Sequence, residues 1–192
     1  MEQIRVEAVS KAYGPKTVLQ AVSFAIPIGQ VSCIMAPSGW GKTTLLRILM
    51  GLEQPDGGRI LGLEGLRFSA VFQEDRLCEN LNADANIRLT APQCTRLQVL
   101  EAMQAVGLRD CAGQPVRELS GGMRRRVAIL RALLADFDVL FLDEPFRGLD
   151  AGTKAQVMED TRQRCAGRTV LMVTHDDAEI AAMGAAQSIC FA

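Results

Sequence analysis

Charge of one sign is what this sequence of 192 residues lacks most: 21 basic side chains oppose 22 acidic ones, for a net charge of −1. A surface so balanced carries no electrostatic footprint for nucleic acid or an acidic membrane, and partners have to be argued from sites. No apolar run approaches the ~18 residues that a membrane-spanning helix needs. The opening Met1-Glu2-Gln3-Ile4-Arg5 lacks the basic and apolar regions of a secretory signal. The six cysteines, Cys33, Cys78, Cys94, Cys111, Cys165 and Cys190, show no C-x-x-C spacing, and several fall inside apolar segments as buried free thiols do. They point to a reducing compartment and away from zinc. The expected location is cytosolic, with any membrane contact made through a partner. Internal repeats and low-complexity segments are absent too. With 48% hydrophobic and 22% charged residues, disordered and fibrous classes are excluded, and the length suits one domain carrying a small insertion.

What is present centres on Ala36-Pro37-Ser38-Gly39-Trp40-Gly41-Lys42-Thr43-Thr44, between an apolar run, Val31 to Met35, and an apolar-periodic one, Leu45 to Met50. Small residues let consecutive backbone N–H groups curl around an anion. A helix beginning at the loop's end adds its positive dipole terminus, and Lys42 supplies a full charge. The phosphate-loop pattern G-x-x-x-x-G-K-[ST] is broken at its first position, where Ala36 stands. A Cβ there is tolerated at negative φ and strained at positive φ. The bland alternative is a solvated Gly/Ser turn.

Along the chain, alternation through Ile4, Val6 and Val9 and again through Val22, Phe24 and Ile26, with Gly14-Pro15 between, predicts an antiparallel strand pair. Val31 to Ala36 reads as a strand buried on both faces, Thr44 to Met50 as a helix closed by Gly51, and Arg59 to Leu63 and Phe68 to Phe72 as short strands. From Leu77 to Glu118 the character turns helical. There Thr95 can cap a helix that presents Leu97, Leu100, Met103 and Val106 and ends at Gly107, a small insertion whose plain role is packing. Ser120-Gly121-Gly122 opens a helix through Val127, Leu130, Leu133 and Leu134. The apolar runs Val139 to Leu142 and Val170 to Val173 then deliver Asp143-Glu144-Pro145 and Thr174-His175, followed by a last strand from Ser188 to Phe191. Helices expected over Thr153 to Cys165 and Asp176 to Met183 make these strands parallel.

The spaced features combine into one chemistry. Thr43 can offer a hydroxyl to Mg²⁺, Asp143 can hold the metal through water, and Glu144 can polarise an attacking water. Two carboxylates at a buried strand's C-terminal end stand where open α/β sheets bind ligands, although a solvated turn would look the same in isolation. Ser120 with two glycines at a helix N-terminus forms a second anion-binding end, or merely an N-cap.

With these motifs in hand, the chain resembles the nucleotide-binding subunits of ATP-binding cassette (ABC) transporters, from about Ile4 to Ile189. The order is the family's: Tyr13, the phosphate loop, Gln73, Leu119-Ser120-Gly121-Gly122, Asp143-Glu144, Leu149-Asp150 and His175. The resemblance implies an α/β P-loop NTPase with a mostly parallel central sheet, N-terminal antiparallel strands and a helical subdomain at about 77–135, all one domain over 1–192. It implies that Tyr13 stacks on adenine with Val18 beside it, and that Pro37, Ser38, Gly39, Trp40, Gly41, Lys42, Thr43 and Thr44 cradle the phosphates of ATP. Gln73 would reach Mg²⁺ and the attacking water, sensing a membrane partner through Glu74 to Leu77. His175 would bond the γ-phosphate and tie Glu144 to the water, so that Glu144, His175, Gln73 and Lys42 carry catalysis, with Thr43, Gln73 and Asp143 about the metal. Two chains would pair head to tail, the phosphate loop of one closed by Ser120, Gly121 and Gly122 of the other, with Asp150 also at the nucleotide.

The implied partners are a second copy or a paralogous subunit, transmembrane permease subunits that hold the chain at the inner face of the cell membrane, and, for an importer, a solute-binding protein. Phe72-Gln73-Glu74-Asp75-Arg76-Leu77 and Phe146 resemble bacterial importer subunits for nitrate, sulfonate or similar small solutes. Ala36, Trp40 and Met123 depart from the family pattern without removing a reacting group. Of Arg124, Arg125 and Arg126, at least one is expected on a solvated helix face. Two other readings stand beside an ATPase: a regulatory ATP-binding module, which the intact reacting residues disfavour, and a soluble ABC ATPase of translation or repair, which would usually carry a second cassette or a coiled coil.

Overall fold

The computed structural model describes residues 3–191; Met1, Glu2 and Ala192, the ends of the single domain read from the sequence, lie outside the described residues. β1 (Gln3–Tyr13) and β2 (Lys16–Pro27) form the expected antiparallel hairpin. β4 (Gly57–Leu61) joins the free side of β1, giving the order β2-β1-β4. The second sheet contains β3 (Val31–Met35), β5 (Phe68–Val71), β6 (Val139–Asp143), β7 (Thr169–Val173) and β8 (Gln187–Cys190), ordered β5-β6-β7-β3-β8 with every pairing parallel.

Parallel strands covered on both faces need apolar side chains on both faces. In β6, Val139 and Phe141 join a core made with β1, β2 and α1 (Lys42–Leu49), whereas Leu140 and Leu142 enter a second core on the opposite face. That second core is filled by α2 (Ala83–Arg88), α3 (Arg96–Ala105) and α4 (Gly121–Leu133), and by Val157 of α5 (Ala151–Arg164). The short α6 (Asp177–Ala182) precedes β8.

The cap of α3 is as the sequence predicts. Thr95 and Gln98 make a reciprocal capping box, and Gly107 follows with φ +69°. Its buried face differs from the predicted stripe: Val99, Ala102 and Met103 are buried while Leu97 is 66% exposed. The helix packs against α2, α4 and α5, and a ten-residue amphipathic pattern cannot fix its rotation to better than one side chain. The arginines also depart from expectation. Arg125 is buried, and Arg124 and Arg126 are half-buried, because α4 is sandwiched between its neighbours and the sheet. Of the cysteines, Cys33, Cys111 and Cys165 are buried, Cys94 is half-buried, and Cys78 and Cys190 are exposed, all as free thiols.

This topology aligns the C-terminal ends of β5, β6, β7 and β3 along one edge of the sheet. Asp143 pairs with Val173, and Ile34 pairs with the same residue from the other side. The segments that follow these strands, with Gln73, Glu144, His175 and Ala36, therefore leave at one level.

Candidate functional site

The phosphate loop follows β3. Trp40 N–H donates to the Pro37 carbonyl at 3.2 Å, and Gly41 serves as N-cap of α1 with φ 105° and no side chain to cap it. An uncapped helix N-terminus leaves its first N–H groups free for an anion. A Cβ at Gly41 would lie 2.7 Å from Val18 Cγ1 and 2.9 Å from Leu19 Cδ2, so close approach to β2 and a left-handed backbone both demand glycine there. The same contact brings the sequence-predicted Val18 against the loop. Ala36 does not adopt a positive φ, which answers the question its Cβ raises. Lys42 Nζ is folded back onto the Ala36 and Pro37 carbonyls at 2.7 and 2.8 Å. Trp40 stacks on Phe191 with ring centroids 4.3 Å apart.

Thr43 Oγ1 donates to Asp143 Oδ2 at 2.8 Å, joining the loop to the end of β6. Asp143 is buried, and its Oδ1 has no hydrogen-bond partner. Burial pushes its carboxyl up from the ordinary range and the neighbouring Glu144 adds to the rise, while the Thr43 hydrogen bond, Lys42 and Arg125 oppose it. An orphaned carboxylate oxygen beside a threonine hydroxyl is a hard-oxygen donor set of the kind that suits Mg²⁺. Among the described residues no cluster of three or more His, Cys, Asp or Glu could cage a metal by itself.

Glu144 takes φ +46°, a left-handed backbone uncommon for a non-glycine residue. Its Oε1 lies 3.7 Å from His175 Nδ1, and its Oε2 pairs with Arg147 Nη1 at 3.2 Å. His175 is exposed at the end of β7, and a cavity of about 220 Å³ lies between it, Glu144 and Arg147. Beneath it the buried Glu179 accepts from Thr174 Oγ1 and pairs with Lys154 at 2.7 Å, fixing the loop that carries the histidine.

Gln73 sits exposed after β5 and shares a cavity of about 250 Å³ with Glu144, Gly121 and Gly122. Ser120 is the N-cap of α4, accepting from Met123 N–H at 3.3 Å, and it and Gly121 are exposed. Among the described residues no hydrogen bond joins Ser120 to Gly122 with the phosphate loop. Asp150 caps α5 through Thr153 N–H at 3.0 Å, and that hydrogen bond holds its carboxyl below the usual range. Tyr13 lies at the end of β1 with its hydroxyl on Glu53, 48% exposed, and with Lys11 Nζ 5.6 Å from its ring centroid.

The structure thus gathers Lys42, Thr43, Asp143, Glu144, His175 and Gln73 at one sheet edge and leaves Tyr13, Asp150 and Ser120 at its periphery. Two contributors escape the sequence reading. Arg147 carries no sequence signal, because its pairing with Glu144 depends on a turn that no spacing rule predicts. Arg125 reads in the sequence only as part of a basic run. A signal for its burial exists, since it continues the stripe of Ala128, Ile129 and Ala132 at helical spacing.

Comparison with known proteins agrees with this geometry. The family described as ABC transporter matches residues 19–147. The chain is 38% identical over 188 residues to the aliphatic sulfonates import ATP-binding protein SsuB of Pseudomonas fluorescens (strain Pf0-1), covering 94% of this chain and 70% of that protein. It is 40% identical over 185 residues to its namesake from Pseudomonas putida (strain KT2440), covering 92% and 68%. Among solved structures, the dimeric post-hydrolysis state of the ATP-binding cassette MJ0796 bound to ADP and Pi superposes with a TM-score of 0.87 at 27% identity, covering 98% of this chain and 94% of that one.

Proposed function

Since the chain belongs to the ABC transporter family, we propose that it is the ATP-hydrolysing subunit of an importer for a small solute of the sulfonate class, working as a head-to-tail dimer beneath a separate permease. One observation carries the ATPase reading: the Thr43–Asp143 hydrogen bond of 2.8 Å, which locks phosphate loop to carboxylate strand with Glu144 and His175 alongside. The sulfonate class is carried over from the relatives.

In this proposal Lys42 exchanges its two carbonyl acceptors for phosphate oxygens, and the open N–H groups of Gly41 to Thr43 hold the rest of the chain of phosphates. Thr43, Asp143 and Gln73 would hold Mg²⁺, which supplies charge neutralisation at the β- and γ-phosphates when bound. Glu144 orients and polarises water, and His175, close to its carboxylate, holds the γ-phosphate oxygen and Glu144 in register. Tyr13 and Val18 receive the adenine. Ser120, Gly121 and Gly122 complete the site of the opposite subunit, with Asp150 at the junction.

The whole of 1–192 acts as one ATPase domain with its helical subdomain at about 77–135. No helix among the described residues is long and apolar enough to cross a membrane. In this proposal the permease holds the chain at the inner face of the cell membrane. A groove of about 480 Å³ between Leu52, Phe72, Thr90 and Arg131, where the subdomain meets the sheet, supports that contact, as does Arg76 stacked 4.0 Å from the Phe72 ring centroid. The chain's own test is Glu144→Gln. ATP binding should persist, hydrolysis should fall by ~10²-fold or more and a dimer should accumulate; turnover equal to the unmodified chain removes Glu144 from this role.

A further inference from the structure

Arg125 reaches from α4 to the ends of two strands that carry reacting groups. Nε donates to the Pro145 carbonyl at 2.7 Å, and Nη2 donates to those of Asp143 and Glu144 at 3.1 and 2.7 Å. Nη1 donates to the carbonyls of Phe72 and Gln73 at 2.5 and 3.4 Å, and to Asp75 Oδ1 at 3.3 Å. A buried guanidinium is stable only when its planar fork of donors is used, and here backbone carbonyls use nearly all of it.

The need for such a group lies in Glu144. Its backbone sits at φ +46°, a conformation that persists only where the surroundings over-determine it. Its N–H is held by the Val173 carbonyl at 2.9 Å, and its C=O by Arg125 at 2.7 Å. The adjacent arginines take no part in this, since Arg126 donates to the Gly122 and Val106 carbonyls and Arg124 Nε has no partner.

We propose that Arg125 is a positioning residue for ATP hydrolysis, holding the backbones of Glu144 and of the Gln73 loop in a single frame borne by α4. Because α4 begins at Ser120-Gly121-Gly122, whatever the opposite nucleotide does to that helix N-terminus is passed through Arg125 to the water-orienting groups of this chain's own site. The inference rests on the ATPase reading above, but that reading alone requires no arginine at this position.

The experiment compares Arg125→Gln and Arg125→Lys with the unmodified chain and with Glu144→Gln, measuring thermal unfolding, equilibrium binding of radiolabelled ATP, and kcat and KM separately. None of the hydrogen bonds of Arg125 goes to the phosphate loop, so ATP affinity and KM should stay within about twofold. Small misplacement of catalytic groups costs up to ~10²-fold, so kcat for Arg125→Gln should fall by ~10–10²-fold, and Lys, which keeps the charge but not the fork, should recover part of it. An unchanged kcat in a folded Arg125→Gln overturns the proposal, as does a KM that rises in step with the loss of kcat. Should Arg125→Gln fail to fold, Arg125→Lys decides alone: a several-fold loss of kcat at constant KM supports the role, and wild-type kcat refutes it. Failure of the underlying reading looks different, because then the unmodified chain does not hydrolyse ATP or Glu144→Gln turns over normally.

Discussion

Replacing Gly41 by alanine tests the architecture of the phosphate loop most directly. Two penalties can be separated. A side chain held at φ 105° costs about 1–2 kcal/mol relative to glycine from backbone sterics. The new Cβ would also stand 2.7 Å from Val18 Cγ1 and 3.0 Å from the Val18 carbonyl oxygen, and because the second is backbone the strain cannot be relieved by a rotamer change. Overpacking of this kind costs about 1–3 kcal/mol. Together they amount to roughly 3 kcal/mol, and at about 2–4 °C per kcal/mol for a chain of this size the melting temperature should drop by about 6–12 °C. Movement of the loop also withdraws N–H groups from the phosphates. One charge-assisted hydrogen bond is worth about 1.5–3 kcal/mol, so ATP affinity should weaken about ten- to a hundredfold. Gly39→Ala is the control, with φ 82° but nothing within 4 Å of its Cβ, and should show only the conformational penalty. Ala36→Gly, at a position without positive φ, should lose no more than about 1 kcal/mol through added freedom of the unfolded chain. Scanning calorimetry and equilibrium ATP binding on the three variants decide the matter. Equal melting temperatures for Gly41→Ala and Gly39→Ala would refute the close packing of the loop on β2.

The other predictions are independent of that loop. Ser120→Arg, combined with Glu144→Gln, should leave ATP binding by the single chain intact and abolish the ATP-dependent dimer in size-exclusion chromatography; lost binding would instead place Ser120 in its own chain's site. Hydrogen bonds from Arg67 hold the Asp138 carboxyl at about 2, below its usual 3.8, so the stability the pair contributes is complete above the usual value and lost as pH falls through the folded one. The melting temperatures of the unmodified chain and Asp138→Asn should therefore differ at neutral pH and converge as pH falls from 3.8 to about 2; a constant gap would deny the pairing. Burial pushes Cys33 and Cys165 up to about 12, whereas Cys78 and Cys190 are exposed. Iodoacetamide followed by mass spectrometry should label the exposed pair in the native protein and the buried pair only after denaturation, and simultaneous labelling would contradict the packing.

Whatever depends on short-range spacing is legible in the amino-acid order alone. The phosphate loop between an apolar strand and an apolar-periodic helix, the strand-end carboxylates, and the Thr95 and Gly107 stops of α3 each need only a handful of neighbouring residues to be recognised. The parallel arrangement follows from alternating strands and helices. Relations between residues far apart in the chain are settled only on folding. The pairing of β4 with β1, the outward turn of Leu97, and the φ of Ala36 and Glu144 depend on what packs against each segment. The same holds for Arg125, which the sequence presents as the middle of three basic residues. Its place on the stripe of Ala128, Ile129 and Ala132 hints at burial, but that burial becomes stable only once the carbonyls of Phe72, Asp143, Glu144 and Pro145 converge on it from distant segments.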